Sequence, residues 1–354
     1  MKKGKKKVLF IIKQRYAYGQ RTKAYGLYNS CDFVARKLSE LGIEAKVVQV
    51  VDNNSIDKEV HEFKPTDCFI EAIWVVPEKF KILAKLHPSV NWHIRLHSKT
   101  EFIAVEGNAF NWMNEYMDLR QEGIKIFLSA NNYEFYKNLK TIYPNTEVSY
   151  TPNLYYPPED LYPSDVVRDV RANPDEFHIG IFGALRPLKN HLQQCVWSIE
   201  YGKKTEQQIA VHINVSEHES YASSNGVSNV LNNIRSLFKS QENARLVEHP
   251  WYRHSDFLYV VKQMDLGMQV SFSETFNITA ADFIHMGIPL VGSNEIKFLN
   301  PLSVIDSNSS NEAISVMRRT IQLHNFGLNK LNKFLLGKSN SAATKEWKRF
   351  IHDD

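Results

Sequence analysis

Glu274 and Asp282 stand eight positions apart in the segment Ser271-Phe272-Ser273-Glu274-Thr275-Phe276-Asn277-Ile278-Thr279-Ala280-Ala281-Asp282. The apolar run Leu266–Val270 predicts a strand before this segment, and Asn277, a favoured N-cap residue, opens a helix through Met286. The amides of Asn277, Ile278 and Thr279 would then face an anion such as a diphosphate. Carboxylates suit sugar and ribose hydroxyls because they accept charge-assisted hydrogen bonds. The bland alternative is an N-capped helix with two solvated acids. A second group lies about 90 residues earlier, where an apolar run ends in Gly183-Ala184-Leu185-Arg186-Pro187-Leu188-Lys189. Arg186 and Lys189 could clamp a diphosphate and stabilise the charge it gains on leaving, or simply be an exposed basic loop. A third group is Val90-Asn91-Trp92-His93-Ile94-Arg95-Leu96-His97, where strand alternation puts His93, Arg95 and His97 on one face. A buried parallel strand is normally apolar on both faces, so this polar face suggests a site; an ion-paired edge strand is the plainer reading. Zinc fits poorly, since no cysteine or third histidine is close by in sequence.

These groups need elements to hold them. Apolar runs at Val8–Ile12, Ala45–Val51, Cys68–Ile73, Val90–Leu96, Ile124–Ser129 and Val148–Thr151 predict strands, with helices over Leu27–Leu41 and Pro77–Leu86 between them. The stretch Tyr155–Asp175, with four prolines and many charges, has no periodicity and is expected to link two domains. The alternation then restarts with strands at Phe177–Phe182, Ile209–Val215, Ala244–Val247, Leu266–Val270 and Pro289–Gly292. Alternating strands and helices mean α/β with parallel sheets. The expected domains are 1–158 and 176–338, joined by 159–175, with a last helix in 339–354 packing back on the first. Ligands of such sheets bind beyond the carboxyl ends of the strands.

Composition excludes several classes. The chain is 43% hydrophobic and 23% charged with a formal net charge of +4, so bulk charge demands no polyanion, although the start Lys2-Lys3-Gly4-Lys5-Lys6-Lys7 is basic. Three distant cysteines form no metal or redox pair, which fits a reducing, cytoplasmic setting. No apolar run is long enough to span a membrane. Neither a Gly-x-Gly-x-x-Gly nor a Gly-rich Lys-Ser/Thr loop occurs, which argues against a nicotinamide dehydrogenase and an ATPase.

The acidic segment, continued by Gly287-Ile288-Pro289, resembles that of the retaining GT-B glycosyltransferases, especially family four. The resemblance implies two Rossmann-like domains facing each other across a donor-binding cleft. It gives Glu274 the donor-sugar hydroxyls and Asp282 the ribose. Two departures stand out: Asp282 is one methylene shorter than the usual Glu, and Asn277 replaces the usual Gly. Gly183, Arg186 and Lys189 look like the family's basic element, and His97 matches a histidine that reaches the donor sugar. Ser129-Ala130-Asn131-Asn132, Thr151-Pro152-Asn153 and Glu248-His249-Pro250-Trp251 agree in order, Trp251 being placed to stack on the base. The resemblance further implies retention of configuration with a UDP- or GDP-sugar as donor and no required cofactor. The leaving phosphate can take the acceptor proton, and no Asp-x-Asp pair suggests a metal.

The acceptor is expected on the first domain, against Tyr16, Tyr18, Gly19, Arg21, Lys23, Glu71, Trp74 and Arg95. Cations interleaved with aromatics can contact phosphates and stack on bases. Phage DNA glycosyltransferases share the GT-B architecture, so 5-hydroxymethylpyrimidine in DNA is the first acceptor expected. A polysaccharide or lipid-linked glycan, or a nucleotide-sugar binding protein without activity, is the alternative.

Overall fold

The computed structural model describes residues 6–17, 20–22, 25–105, 107–159, 170–171, 173, 175–215 and 227–352, with backbone alone at 15–17, 20–22, 25 and 227–228. The chain separates into two compact units, residues 1–157 with 340–354, and residues 158–339.

The first unit is built on β1 (Lys7–Lys13), β4 (Glu44–Val50), β5 (Asp67–Glu71), β6 (Asn91–Leu96), β7 (Ile126–Ala130) and β8 (Val148–Tyr150), with a short hairpin of β2 (Arg15–Ala17) and β3 (Gln20–Thr22). The six long-sheet strands run parallel in the order β4-β1-β5-β6-β7-β8. Val8 to Ile12 are fully buried, as a continuous apolar run requires when both faces are covered. On one face Ile56, Val60, Phe80, Leu83, Met113 and Tyr116 from three helices join the core. On the other, four rings form a row across neighbouring strands: Phe10 stacks on Phe69, Phe69 on His93 and His93 on Phe127, at centroid distances of 5.2, 4.6 and 5.2 Å. Trp347 and Phe350 of the last helix, Asn329–His352, lie edge-on over this row, and Trp347 Nε1 donates to the Pro152 carbonyl at 2.8 Å.

The segment after β1, whose aromatic and cationic residues are expected to face the acceptor, pairs as an antiparallel hairpin with Tyr16 opposite Arg21. β6 is not an edge strand, since β5 and β7 flank it.

The second unit carries β9 (Phe177–Gly180), β10 (Ile209–Asn214), β11 (Ala244–His249), β12 (Leu266–Gln269) and β13 (Leu290–Gly292), all parallel in the order β11-β10-β9-β12-β13. Helix Ile278–Met286 comes close to this sheet because Phe283 enters a gap left by two glycines. A Cβ on Gly267 would meet the Phe283 ring at 2.6 Å, and one on Gly180 would meet it at 2.9 Å. Among the described residues no helix is long and apolar enough to cross a membrane.

Candidate active site

In the second unit the basic turn and the acidic turn are tied together. Pro187–Lys189 form one 3-10 turn beyond β9, reached through Gly183, whose φ of +120° favours glycine. The Leu188 carbonyl accepts from the Phe272 amide at 2.9 Å, Asn190 Nδ2 donates to the Val270 carbonyl at 3.1 Å, and Gln194 Oε1 accepts from the Val270 amide at 2.9 Å. This brings Lys189 onto Glu274, with Nζ 2.6 Å from Oε1 and 2.7 Å from Oε2. Ser271 Oγ and Asn277 Nδ2 also donate to Glu274, at 2.7 and 2.9 Å, and the carboxylate is 5% exposed. Three side-chain donors thus converge on one buried carboxyl group at the mouth of a turn.

Asn277 caps helix Ile278–Met286 by accepting from the Ala280 amide at 2.8 Å. Its φ is +66°, in the left-handed region where glycine is favoured and asparagine is the commonest substitute. The Asn in place of the usual Gly therefore keeps the backbone turn and adds a side chain that holds Glu274 and Gln269 Oε1. The first-turn amides of this helix form an anion-favouring end. Asp282 lies inside the helix, 2% exposed, with His254 Nε2 2.7 Å from its Oδ1. Arg186 is exposed beside Lys189, and Trp251 is half-buried in the loop after β11.

Sequence reasoning missed three supports of this site: His254, Ser271 and Asn214. Asn214, 2% exposed at the end of β10, accepts from the Gly183 amide at 3.3 Å and donates to the Pro250 carbonyl at 3.4 Å, joining the basic turn to the loop of Trp251. An asparagine near the carboxyl end of the predicted strand Ile209–Val215 was the available signal. Under the same loop, three imidazoles span β9, β10 and β11. His178 Nε2 must donate to the Asn173 carbonyl, so its Nδ1 accepts from His212 Nε2 at 2.8 Å, and His212 Nδ1 in turn accepts from His249 Nε2 at 2.8 Å. Burial pushes His212 down to about 2 and His249 to about 4, and lowers His178, so the chain is uncharged.

In the first unit the polar face of β6 meets β5. Glu71 sits opposite Arg95 in the register, and both are fully buried. Arg95 Nη1 lies 3.2 Å from Glu71 Oε2, Nε donates to the Thr151 carbonyl at 3.0 Å, and Nη2 donates to Asn153 Oδ1 at 2.6 Å. Burial would raise the Glu71 carboxyl, but the Arg95 charge and then His97 outweigh it and hold it below its usual value. Burial lowers His97 in spite of Glu71. Asn131 Nδ2 faces His97 Nδ1 at 3.1 Å, which leaves the proton on Nε2, donated to Glu71. His93 pairs one step down with Asp67 at 3.0 Å. Both His97 nitrogens are engaged, so a hydrogen bond from it to a sugar requires an exchange of partners. Glu71 and Arg95, read as acceptor-side wall, present no surface; they fix His97 and Asn153. Trp74 is half-buried and lines a cavity of about 600 Å³ at the carboxyl ends of β1 and β5. Tyr18, Gly19 and Lys23 lie outside the described residues, as do the side chains of Tyr16 and Arg21.

No family model matches the chain, and no curated protein matches it. Solved structures do. The N-terminal domain of Candida albicans trehalose-6-phosphate phosphatase matches with a TM-score of 0.66 at 11% identity, over 97% of this chain and 96% of its own. Sucrose-phosphate synthase from Thermosynechococcus elongatus matches at 0.64 and 9% identity, over 98% of both chains. A trehalose-6-phosphate structure from E. coli bound with UDP-2-fluoro glucose matches at 0.58 and 10% identity, over 95% and 99%. The fold is GT-B. At these identities the likeness speaks for the fold alone.

Proposed function

We propose that this protein transfers a sugar from a nucleotide-sugar donor to an acceptor hydroxyl with retention of configuration. The observation that carries the proposal is the Lys189–Glu274 pair at the end of helix Ile278–Met286, set in a GT-B fold. The similarity to a structure bound with UDP-2-fluoro glucose favours a UDP-sugar. In this reading Glu274 receives sugar hydroxyls and the His254–Asp282 pair receives the ribose. Trp251 stacks on the base, and Arg186, Lys189 and the Ile278 and Thr279 amides face the diphosphate. Lys189 is shared between Glu274 and the incoming phosphate, so the carboxylate keeps the cation ordered until the donor arrives. In the step itself the bond from the sugar anomeric carbon to the phosphate oxygen breaks and a bond to the acceptor oxygen forms. The acceptor proton passes to the departing phosphate, so the mechanism calls for no separate base, metal or cofactor.

The test is turnover of a panel of UDP- and GDP-sugars. Lys189→Ala should lower it about a hundred- to thousandfold, the usual cost of losing one group that stabilises developing charge. Glu274→Gln and Arg186→Ala should also lower it. Parent rates in all three variants would sink the donor assignment, binding of a donor without any turnover would leave a binding protein, and an inverted product anomer would overturn retention. For the acceptor, the cations and aromatics of Tyr16–Tyr25 favour 5-hydroxymethylpyrimidine in DNA. That reading requires label from the donor to enter hydroxymethylcytosine duplex, and salt to weaken DNA binding steeply.

A further inference from the structure

The loop after β11 is tied to both halves of the candidate site. Asn214 joins its Pro250 carbonyl to the Gly183 amide of the basic turn, and His254 lies 2.7 Å from Asp282. Residues 249–252 are thus anchored to the diphosphate turn on one side and to the ribose pair on the other, which makes them the nucleoside wall in the donor reading above. Beneath that wall the imidazole chain has one polarity. A carbonyl only accepts, so Asn173 fixes the His178 proton on Nε2, and each ring passes the same sense to the next. The last ring, His249, has its own proton committed to His212, which leaves its Nδ1 as an acceptor toward Tyr252. The Tyr252 hydroxyl is 3.5 Å away, longer than a well-made hydrogen bond, and it is the one donor near this nitrogen among the described residues. His249 is 5% exposed, and a buried acceptor normally has a better partner than that.

We infer that His249 Nδ1 selects the nucleobase: it accepts a ring N–H, as in uracil or guanine, and turns away cytosine and adenine, whose corresponding ring nitrogens are themselves acceptors. His178 and His212 act as positioning residues that keep this nitrogen bare from two strands away. The inference rests on the nucleotide-sugar reading above and names its class of base. A lone imidazole would blur such a choice by moving its proton to the other nitrogen. His249 has no such freedom. With Nδ1 protonated and Nε2 bare, it would face the bare Nδ1 of His212, and reversing all three rings would turn a bare His178 Nε2 onto the Asn173 carbonyl. Burial opposes the remaining escape, a second proton on the ring. A base N–H therefore supplies the donor that Tyr252 supplies poorly, while a base acceptor leaves two lone pairs facing each other.

The experiment uses the full chain, labelled with nitrogen-15 at histidine. Long-range proton–nitrogen correlation spectra at neutral pH should show His178, His212 and His249 all with the proton on Nε2. Calorimetric titration with UDP against CDP, and with GDP against ADP, reads the selection. In whichever pair binds, the member with the ring N–H should bind about tenfold or more tighter, because the other leaves a buried polar group unpaired. His249→Asn, which keeps an acceptor oxygen near the place of Nδ1, should retain the preference, and His249→Leu should reduce it to about threefold or less. His178→Leu leaves the loop untouched and frees the far end of the chain. It should shift the His249 proton toward Nδ1 and shrink the preference. Equal weakening of both nucleotides in that variant, with the His249 tautomer unchanged, would overturn the positioning role. Equal affinities within both pairs, a preference for CDP or ADP, or a parent His249 protonated on Nδ1 would overturn the selection. No affinity for any of the four would remove the donor reading along with it. Base selection without turnover of any nucleotide sugar would keep the role of His249 and discard the transferase.

Discussion

Glu71 is an ionised carboxylate without access to water, and its charge is tolerable chiefly because Arg95 faces it across one pair of strands, with His97 as its second partner. Removing the guanidinium strands a buried charge, a change that costs about 3–5 kcal/mol. Arg95→Ala should lower stability to urea by that amount and raise the Glu71 pKa, while Arg95→Met combined with Glu71→Met should cost much less; equal losses would show that the pair is not the source. Alternation alone placed His93, Arg95 and His97 on one face, and the structure keeps them there. What could not be read was what they face, because Asp67 and Glu71 are 24 or more residues away and meet them only through strand register. The same holds for His254 on Asp282, 28 residues apart. Asn277 was legible as a cap, whereas its left-handed φ of +66° needed coordinates.

At the scale of elements, helix Ile278–Met286 presents both the anion-favouring end and Asp282, and its height above the sheet is set by Phe283 between Gly180 and Gly267. Gly267→Ala puts a methyl group 2.6 Å from that ring. Such overpacking costs about 1–3 kcal/mol. The variant should therefore melt earlier and bind UDP more weakly in a thermal-shift titration, and adding Phe283→Leu should recover part of both. An unchanged UDP shift would mean that helix height does not govern the site. The strands were legible because continuous apolar runs are what doubly covered parallel strands require, and each predicted strand lies within about two residues of the observed one. Predicted Cys68–Ile73 stops at Glu71 because Ala72 turns to a φ of +69° and gives its amide to the Arg95 carbonyl. The β2–β3 hairpin escaped notice because three-residue strands are too short to display alternation.

At the scale of the molecule, stability should fall as the solution is acidified. His191, His212 and His249 are held neutral by burial, at about 3, 2 and 4, against an ordinary value of 6.5. Below about pH 6.5 the unfolded chain takes up protons that the folded chain refuses, so the unfolding free energy drops with pH. Urea midpoints should be flat from pH 8 to 7 and decline steadily toward pH 5. His191 has neither ring nitrogen hydrogen-bonded among the described residues. His191→Leu should flatten the decline by at most about 1.4 kcal/mol per pH unit, the share of one proton. Midpoints constant down to pH 5 would refute the neutral assignments. The last helix has a further consequence, in time rather than energy. Trp347 and Phe350 complete the ring row of the first unit, yet the ribosome reaches Trp347 190 positions after Pro157. At about 5–20 residues per second, Phe10, Phe69 and His93 wait roughly 10–40 s for their cover. A nascent chain stalled before Trp347 should therefore present that face to chaperones, and release of the last helix from the exit tunnel should end the exposure.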